Sequence, residues 1–145
     1  MEKHKKFMKI ALEEARNSGN DVPVGAAIVF NDEIIAKSSN KREAQNKPSA
    51  HAEVVVIDEA ARILDGWRLN EAVLYVTLEP CPMCAALILQ SKIKSVIFGA
   101  YDSNYGAFGS KLDMREVINS KIEIKGGILE KECQKLISDF FKEKR

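Results

Sequence analysis

The chain has 145 residues, about one domain's worth, and 46% of them are hydrophobic, enough for a packed core. Lys and Arg (22) nearly balance Asp and Glu (21), so net charge neither demands nor excludes a nucleic-acid partner. No apolar run approaches the ~20 residues of a membrane span. The start, MEKHKKFMKIALEEARNSG, reads as too charged and amphipathic for a signal peptide. Three cysteines without an export signal point to a reducing, cytoplasmic setting with free or metal-bound thiols.

In chain order, residues 3–17 carry Phe7, Ile10, Ala11 and Ala15 at helical spacing and stop at Ser18-Gly19. VGAAIVF (24–30) and EIIAKS (33–38) flank the two-residue turn Asn31-Asp32 and predict a hairpin. SNKREAQNKPS (39–49) reads as a loop. AHAEVVVIDEAARIL (50–64) mixes β-branched residues with helix formers and is long enough for a buried helix. AVLYVTL (72–78) is a mid-sheet strand stopped by Glu79-Pro80. A helix over 82–91 follows, with Pro82 in its first turn.

SVIFGA (95–100) is another buried strand and YDSNYGAFGS (101–110) a glycine-bearing loop. A short helix and a strand near KIEIKG (121–126) come next. The tail ILEKECQKLISDFFKEKR is an amphipathic helix with Ile128, Leu129, Cys133, Leu136, Ile137 and Phe140 near one face. The basic ends KHKK (3–6) and KEKR (142–145) read as solvated termini. Strands alternating with helices imply a single three-layer α/β domain over 1–145 with a mixed sheet, antiparallel first and parallel later.

EPCPMCAAL (79–87) holds two cysteines two residues apart at a predicted helix start. Such a pair can be a disulfide, a dithiol redox centre, half of a structural zinc site or part of a catalytic one. Of the two histidines, His4 lies among lysines and reads as solvated surface, whereas His51 opens a predicted helix in HAE (51–53). Helix starts present unpaired N–H groups and the positive end of the dipole, which favours thiolate, the form that binds metal. Cys81, Cys84 and His51 together supply three ligands, and three protein ligands with an open position is the catalytic zinc pattern.

Cys133, on a helix face, reads as a packed core thiol. Glu53, two residues past the histidine, is placed to take and return a proton at the open position. A dithiol oxidoreductase would leave His51 and Glu53 without a role.

HAE at 51–53 followed by PCPMC at 80–84 resembles the H-x-E…P-C-x-x-C signature of zinc-dependent nucleobase deaminases. VPVGAAIV (22–29), WRLNEAVLYVTLEPCPMC (67–84), IFGAYDSNYGAFGS (97–110) and GGILEKECQKLISDFF (126–141) further resemble bacterial tRNA-specific adenosine deaminases, which turn the wobble adenosine of an anticodon into inosine. The resemblance covers nearly the whole chain. It implies a cytidine-deaminase-like α/β/α fold with a central five-stranded sheet and a homodimer. It also implies one zinc per chain, held by His51, Cys81 and Cys84, with Glu53 as proton shuttle. The same resemblance implies that Asn40 bonds the base, that Asp102 lies near the sugar, and that a tRNA anticodon stem-loop is the partner.

The segment LDMREVINSKIEI (112–124) is shorter than its counterpart and lacks an NHR-like motif. Lys41, Arg42, Lys47, Lys111, Arg115 and the C-terminal KEKR are the candidate phosphate contacts. A deaminase of free guanine, cytosine or a nucleoside would share the same centre. A non-catalytic zinc-stabilised subunit would have no need of Glu53.

Overall fold

The computed structural model describes residues 2–143. Helix α1 spans Glu2–Ala15, strands β1 and β2 Gly25–Phe30 and Glu33–Ser39, and helices α2 and α3 Arg42–Gln45 and Ala52–Ile63. Strand β3 (Val73–Leu78), helix α4 (Pro82–Gln90) and strand β4 (Ser95–Ala100) follow. Helix α5 (Met114–Ile118), strand β5 (Glu123–Lys125) and helix α6 (Glu130–Glu143) complete the order. The five strands form one sheet in the order β2-β1-β3-β4-β5. β1 pairs antiparallel with both β2 and β3, while β3–β4 and β4–β5 are parallel, so the sheet is mixed as expected.

Alternation along the strands builds the three layers. Leu74 and Val76 of β3 and Val96 and Phe98 of β4 point into one core with Val56, Ile57 and Ala60 of α3 and Ala85 and Ile88 of α4. Tyr75 and Ile97, the intervening residues, point into a second core with Phe7, Met8, Ala11 and Leu12 of α1 and Cys133 of α6. A period of two thus sends successive side chains to opposite helical layers. Cys133 is the buried core thiol expected of it, lying where Gly99 leaves room for its sulfur.

Asn31 and Asp32 both have positive φ (52° and 62°), as a two-residue turn between twisted strands requires. Val54–Ile57 are helical despite four β-branched residues, because the stripe Ala52, Val56, Ile57, Ala60 is buried against the sheet.

The structure corrects the sequence reading in three places. The 39–49 segment contains the one-turn helix α2, whose Glu43 amide donates to Asp21 Oδ2 (3.1 Å). His4 is not free surface: its Nδ1 lies 2.7 Å from the Tyr75 hydroxyl, half-buried between α1 and β3. Helix α6 begins at Glu130 rather than Ile128, because Gly127 (φ 87°) and Leu129 (φ 54°) turn the chain first. Along α6 only Cys133 is fully buried; Leu136, Ile137 and Phe140 are half-buried. Of the C-terminal basic run, Lys144 and Arg145 lie outside the described residues.

Helix α1 packs directly on the start of β1. A Cβ at Gly25 would stand 1.9 Å from the Ala11 carbonyl oxygen and 2.5 Å from the Ala15 nitrogen. Since both are backbone atoms, the helix itself would have to move. Gly25→Ala should lower the unfolding free energy by about 2–3 kcal/mol, the upper part of the range for overpacking, measured by urea titration. An unchanged midpoint would mean that α1 docks less tightly than this geometry implies.

Candidate metal and catalytic site

His51 and Cys81 are the N-cap residues of α3 and α4, both with extended backbone (ψ 152° and 172°), and neither side chain caps its own helix. Instead they turn towards each other. His51 Nδ1 lies 3.7 Å from Cys81 Sγ and 3.6 Å from Cys84 Sγ, and the three ligand atoms all fall within 4.8 Å of one another. Zinc with bonds of ~2.1 Å to nitrogen and ~2.3 Å to sulfur in tetrahedral geometry separates N from S by roughly 3.6 Å. The side chains therefore already stand at zinc-ligand spacing. Pro82 at the first helical position and the Ala85 amide bond to the Cys81 carbonyl (2.8 Å) hold the two sulfurs on one turn.

The hydrogen bond from Cys84, then that from His51, outweigh burial and hold the Cys81 thiol down to about 4. Cys84 is pushed up, first by that same hydrogen bond and then by burial. Its contact with Cys81 raises the His51 pKa. All three cysteines are free thiols, and no disulfide joins the Cys81–Cys84 pair.

Glu53 lies one residue inside α3, only 4% exposed, and burial pushes its carboxyl up to about 7. Asn40, at the end of β2, gives its Nδ2 to the Val22 carbonyl (3.0 Å) and takes the Ala52 amide on Oδ1 (2.8 Å). It thereby supplies from outside the cap that His51 does not give α3. Asp102, just beyond β4, takes the Asn104 and Tyr105 amides on Oδ1 (3.0 and 3.1 Å).

A cavity of about 760 Å³ brings Asn40, His51, Glu53, Cys81 and Asp102 onto one wall system, with Cys84 buried behind them. A second depression of about 660 Å³ runs along β2 and α3 and contains no histidine or cysteine. The six residues singled out from the sequence are thus all at one place.

Several contributors escaped the sequence reading. Tyr101, Tyr105, Met83 and Phe141 line the same cavity and are exposed. Asp21, buried, takes two hydrogen bonds from Arg42 (3.0 and 2.6 Å). Burial pushes its carboxyl up, and the bonds from Arg42 and the Glu43 amide more than offset that, so its pKa lies below the ordinary value. Arg42 is therefore ion-paired, as is Arg115 with Asp113 (2.9 and 2.5 Å). Lys41, Lys47 and Lys111 form no ion pair among the described residues. Glu79 ends the strand as expected, but it is also a buried hydrogen-bond acceptor. An acid directly between an apolar strand and a C-x-x-C pair was the available signal.

The model of the cytidine and deoxycytidylate deaminase zinc-binding region matches residues 1–100. The tRNA-specific adenosine deaminase of Bacillus subtilis (strain 168) is 46% identical over 143 residues, covering 96% of this chain and 89% of that one. A structure from a study of A-to-I editing by tRNA:A34 deaminases at the wobble position superposes with a TM-score of 0.83 at 38% identity, covering 90% of this chain and 98% of the other. Guanine deaminase from Bacillus subtilis superposes with a TM-score of 0.65 at 39% identity, over 68% of this chain and 64% of the other. With His51, Cys81 and Cys84 grouped at a spacing that could hold zinc and a relative at 46% identity along nearly its full length, the chain belongs to the zinc-binding cytidine and deoxycytidylate deaminase family, alongside the tRNA-specific adenosine deaminases.

Proposed function

We propose that the chain is a hydrolytic deaminase that converts adenosine at the wobble position of a tRNA anticodon to inosine, releasing ammonia. One observation carries this reading: three zinc-spaced ligands and a buried carboxylate meet on the wall of a cavity of nucleotide size. His51, Cys81 and Cys84 would hold the metal. Bound there, zinc supplies Lewis acidity at an open position, lowering the pKa of water.

The remaining chemistry falls to the chain. Glu53, excluded from bulk water, carries a proton to the ring nitrogen and then to the departing amine. Asn40 has a second Nδ2 hydrogen to give the base, since one hydrogen bond from that nitrogen already goes to Val22. Asp102 keeps Oδ2 for a sugar hydroxyl, its loop amides being served by Oδ1. The target base must leave its stack to reach this wall, which costs least in a single-stranded loop.

RNA is favoured over a free base because a tRNA-specific enzyme is 46% identical over 96% of the chain, whereas guanine deaminases match it over 68% at 39% identity or over 94% at only 22%. Lys41, Lys47 and Lys111 are available to phosphates. Free thiols suit a reducing, cytoplasmic compartment, and among the described residues no helix is long and apolar enough to cross a membrane. The reading takes residues 1–145 as a single deaminase domain working as a homodimer; the dimer rests on the family resemblance alone.

Three measurements test it. Purified protein should carry about one zinc per chain, and Cys84→Ser should lose most of it by atomic absorption, since two ligands bind far more weakly than three; full occupancy would break the ligand assignment. Glu53→Ala should keep zinc and fold but lower kcat about 10²–10⁴-fold, the usual worth of a general acid–base; turnover at the original rate would remove Glu53 from the chemistry. An ammonia-release panel should show turnover of an anticodon stem-loop with wobble adenosine over free guanine, cytosine, adenosine and cytidine. Guanine turned over alone would replace the tRNA reading with that of a guanine deaminase.

A further inference from the structure

Glu79 is 2% exposed, and no cationic side chain pairs with it among the described residues. A carboxyl group buried in that position needs hydrogen-bond donors around it. Four do, and all come from one segment. Oε1 takes the Asp102 amide (3.1 Å) and the Ser110 hydroxyl; Oε2 takes the Phe108 and Ser110 amides (both 3.1 Å). The chain closes round the carboxyl so tightly that a Cβ at Gly106 would stand 2.4 Å from Glu79 Cδ. The Ala107 amide adds a bond to the Pro80 carbonyl (2.8 Å).

Residues 101–105 of the segment held this way line the cavity. The Asp102 amide donates to Glu79, and the Asp102 carboxylate in turn takes the Tyr105 amide. A line of hydrogen bonds therefore runs from Glu79 through Asp102 to the backbone of Tyr105, which is 67% exposed and lines the cavity together with Tyr101. Exposed aromatic rings lining a pocket are what unstacked bases lie against.

We propose that Glu79 is a positioning residue for substrate: its carboxylate fixes the 101–110 segment and so sets Asp102, Tyr101 and Tyr105 against the parts of the substrate that flank the target base. This rests on the reading of the cavity as a nucleotide site. The role needs a carboxylate. Glutamine would place an N–H donor against amide donors, and aspartate is one methylene short. Glu79 stands two residues before Cys81, yet its bonds go to the 101–110 segment and not to the ligands. Loop placement and metal binding are therefore separable.

The test is Glu79→Gln, with Ser110→Ala as the milder variant that removes one donor. Three quantities are read: zinc content, hydrogen exchange of the Asp102 and Phe108 amides by NMR, and kcat and KM for whichever substrate the wild type turns over. Glu79→Gln should keep about one zinc per chain and exchange these amides at least ~10-fold faster. It should raise KM roughly 10-fold or more, with kcat changed by less than ~3-fold, the size of losing hydrogen bonds to a charged acceptor. Ser110→Ala should move exchange and KM the same way, roughly 3-fold, and decides the matter if Glu79→Gln does not fold. Unchanged exchange and KM would overturn the proposal. So would zinc lost in step with activity, since Glu79 would then belong to the metal scaffold. A wild type that ignores the stem-loop overturns the tRNA reading only; the exchange rates, and KM for the small substrate, still judge Glu79.

Discussion

Two helix starts face each other across a few ångströms, and much of the molecule follows from what that requires. A Ser, Thr, Asp or Asn at the N-caps of α3 and α4 would bond the first unpaired amides, a contact worth about 1 kcal/mol for each helix. Both forgo it, since His51 and Cys81 turn inward to meet one another and Cys84. The Ala52 amide is then served by Asn40 from the end of β2. The parallel β3–β4 pair places the chain ends that carry Cys81 and Asp102 side by side. Antiparallel β1 brings its own start to the same edge. The site is therefore a product of strand direction as much as of residue type, lying outside the carboxyl ends of strands as α/β sheets generally arrange.

What could be read from the sequence was what local rules decide. The Asn31-Asp32 turn, the β3 and β4 strands, the α3 and α4 helices and the HAE and PCPMC segments each announce themselves over a few consecutive residues. What could not be read depends on partners far apart in the chain. Helix α2 owes its first turn to Asp21, some twenty residues earlier. His4 is drawn against β3 by a hydroxyl 71 residues away. Glu79 looked like punctuation before a proline because the donors that surround it come 23 to 31 residues later. Polar groups buried by tertiary structure carry no periodicity, so pattern reading passes over them.

The same distinction sorts the cations. Arg42 and Arg115, candidate phosphate contacts by type, are each ion-paired with an aspartate while 37% and 35% of their side chains stay exposed. A net charge of +1 gives the chain as a whole little attraction for a polyanion. Shape, aromatic surface and the fit of one extruded base must carry a correspondingly larger share of recognition, and binding should depend on salt less steeply than for a strongly basic protein.

The hairpin turn at Asn31-Asp32 has a bearing beyond folding. Because β1 starts at the cavity edge and runs away from it, this turn lies at the opposite end of the sheet from His51 and Cys81. Its residues are exposed, and Lys3 reaches Asp32 through a solvent-facing ion pair worth little. Nothing in the chemistry touches that end. It is accordingly the place where extra sequence can be spliced in, a fluorescent reporter or a targeting module among the possibilities, with the substrate's route to the zinc ligands left clear.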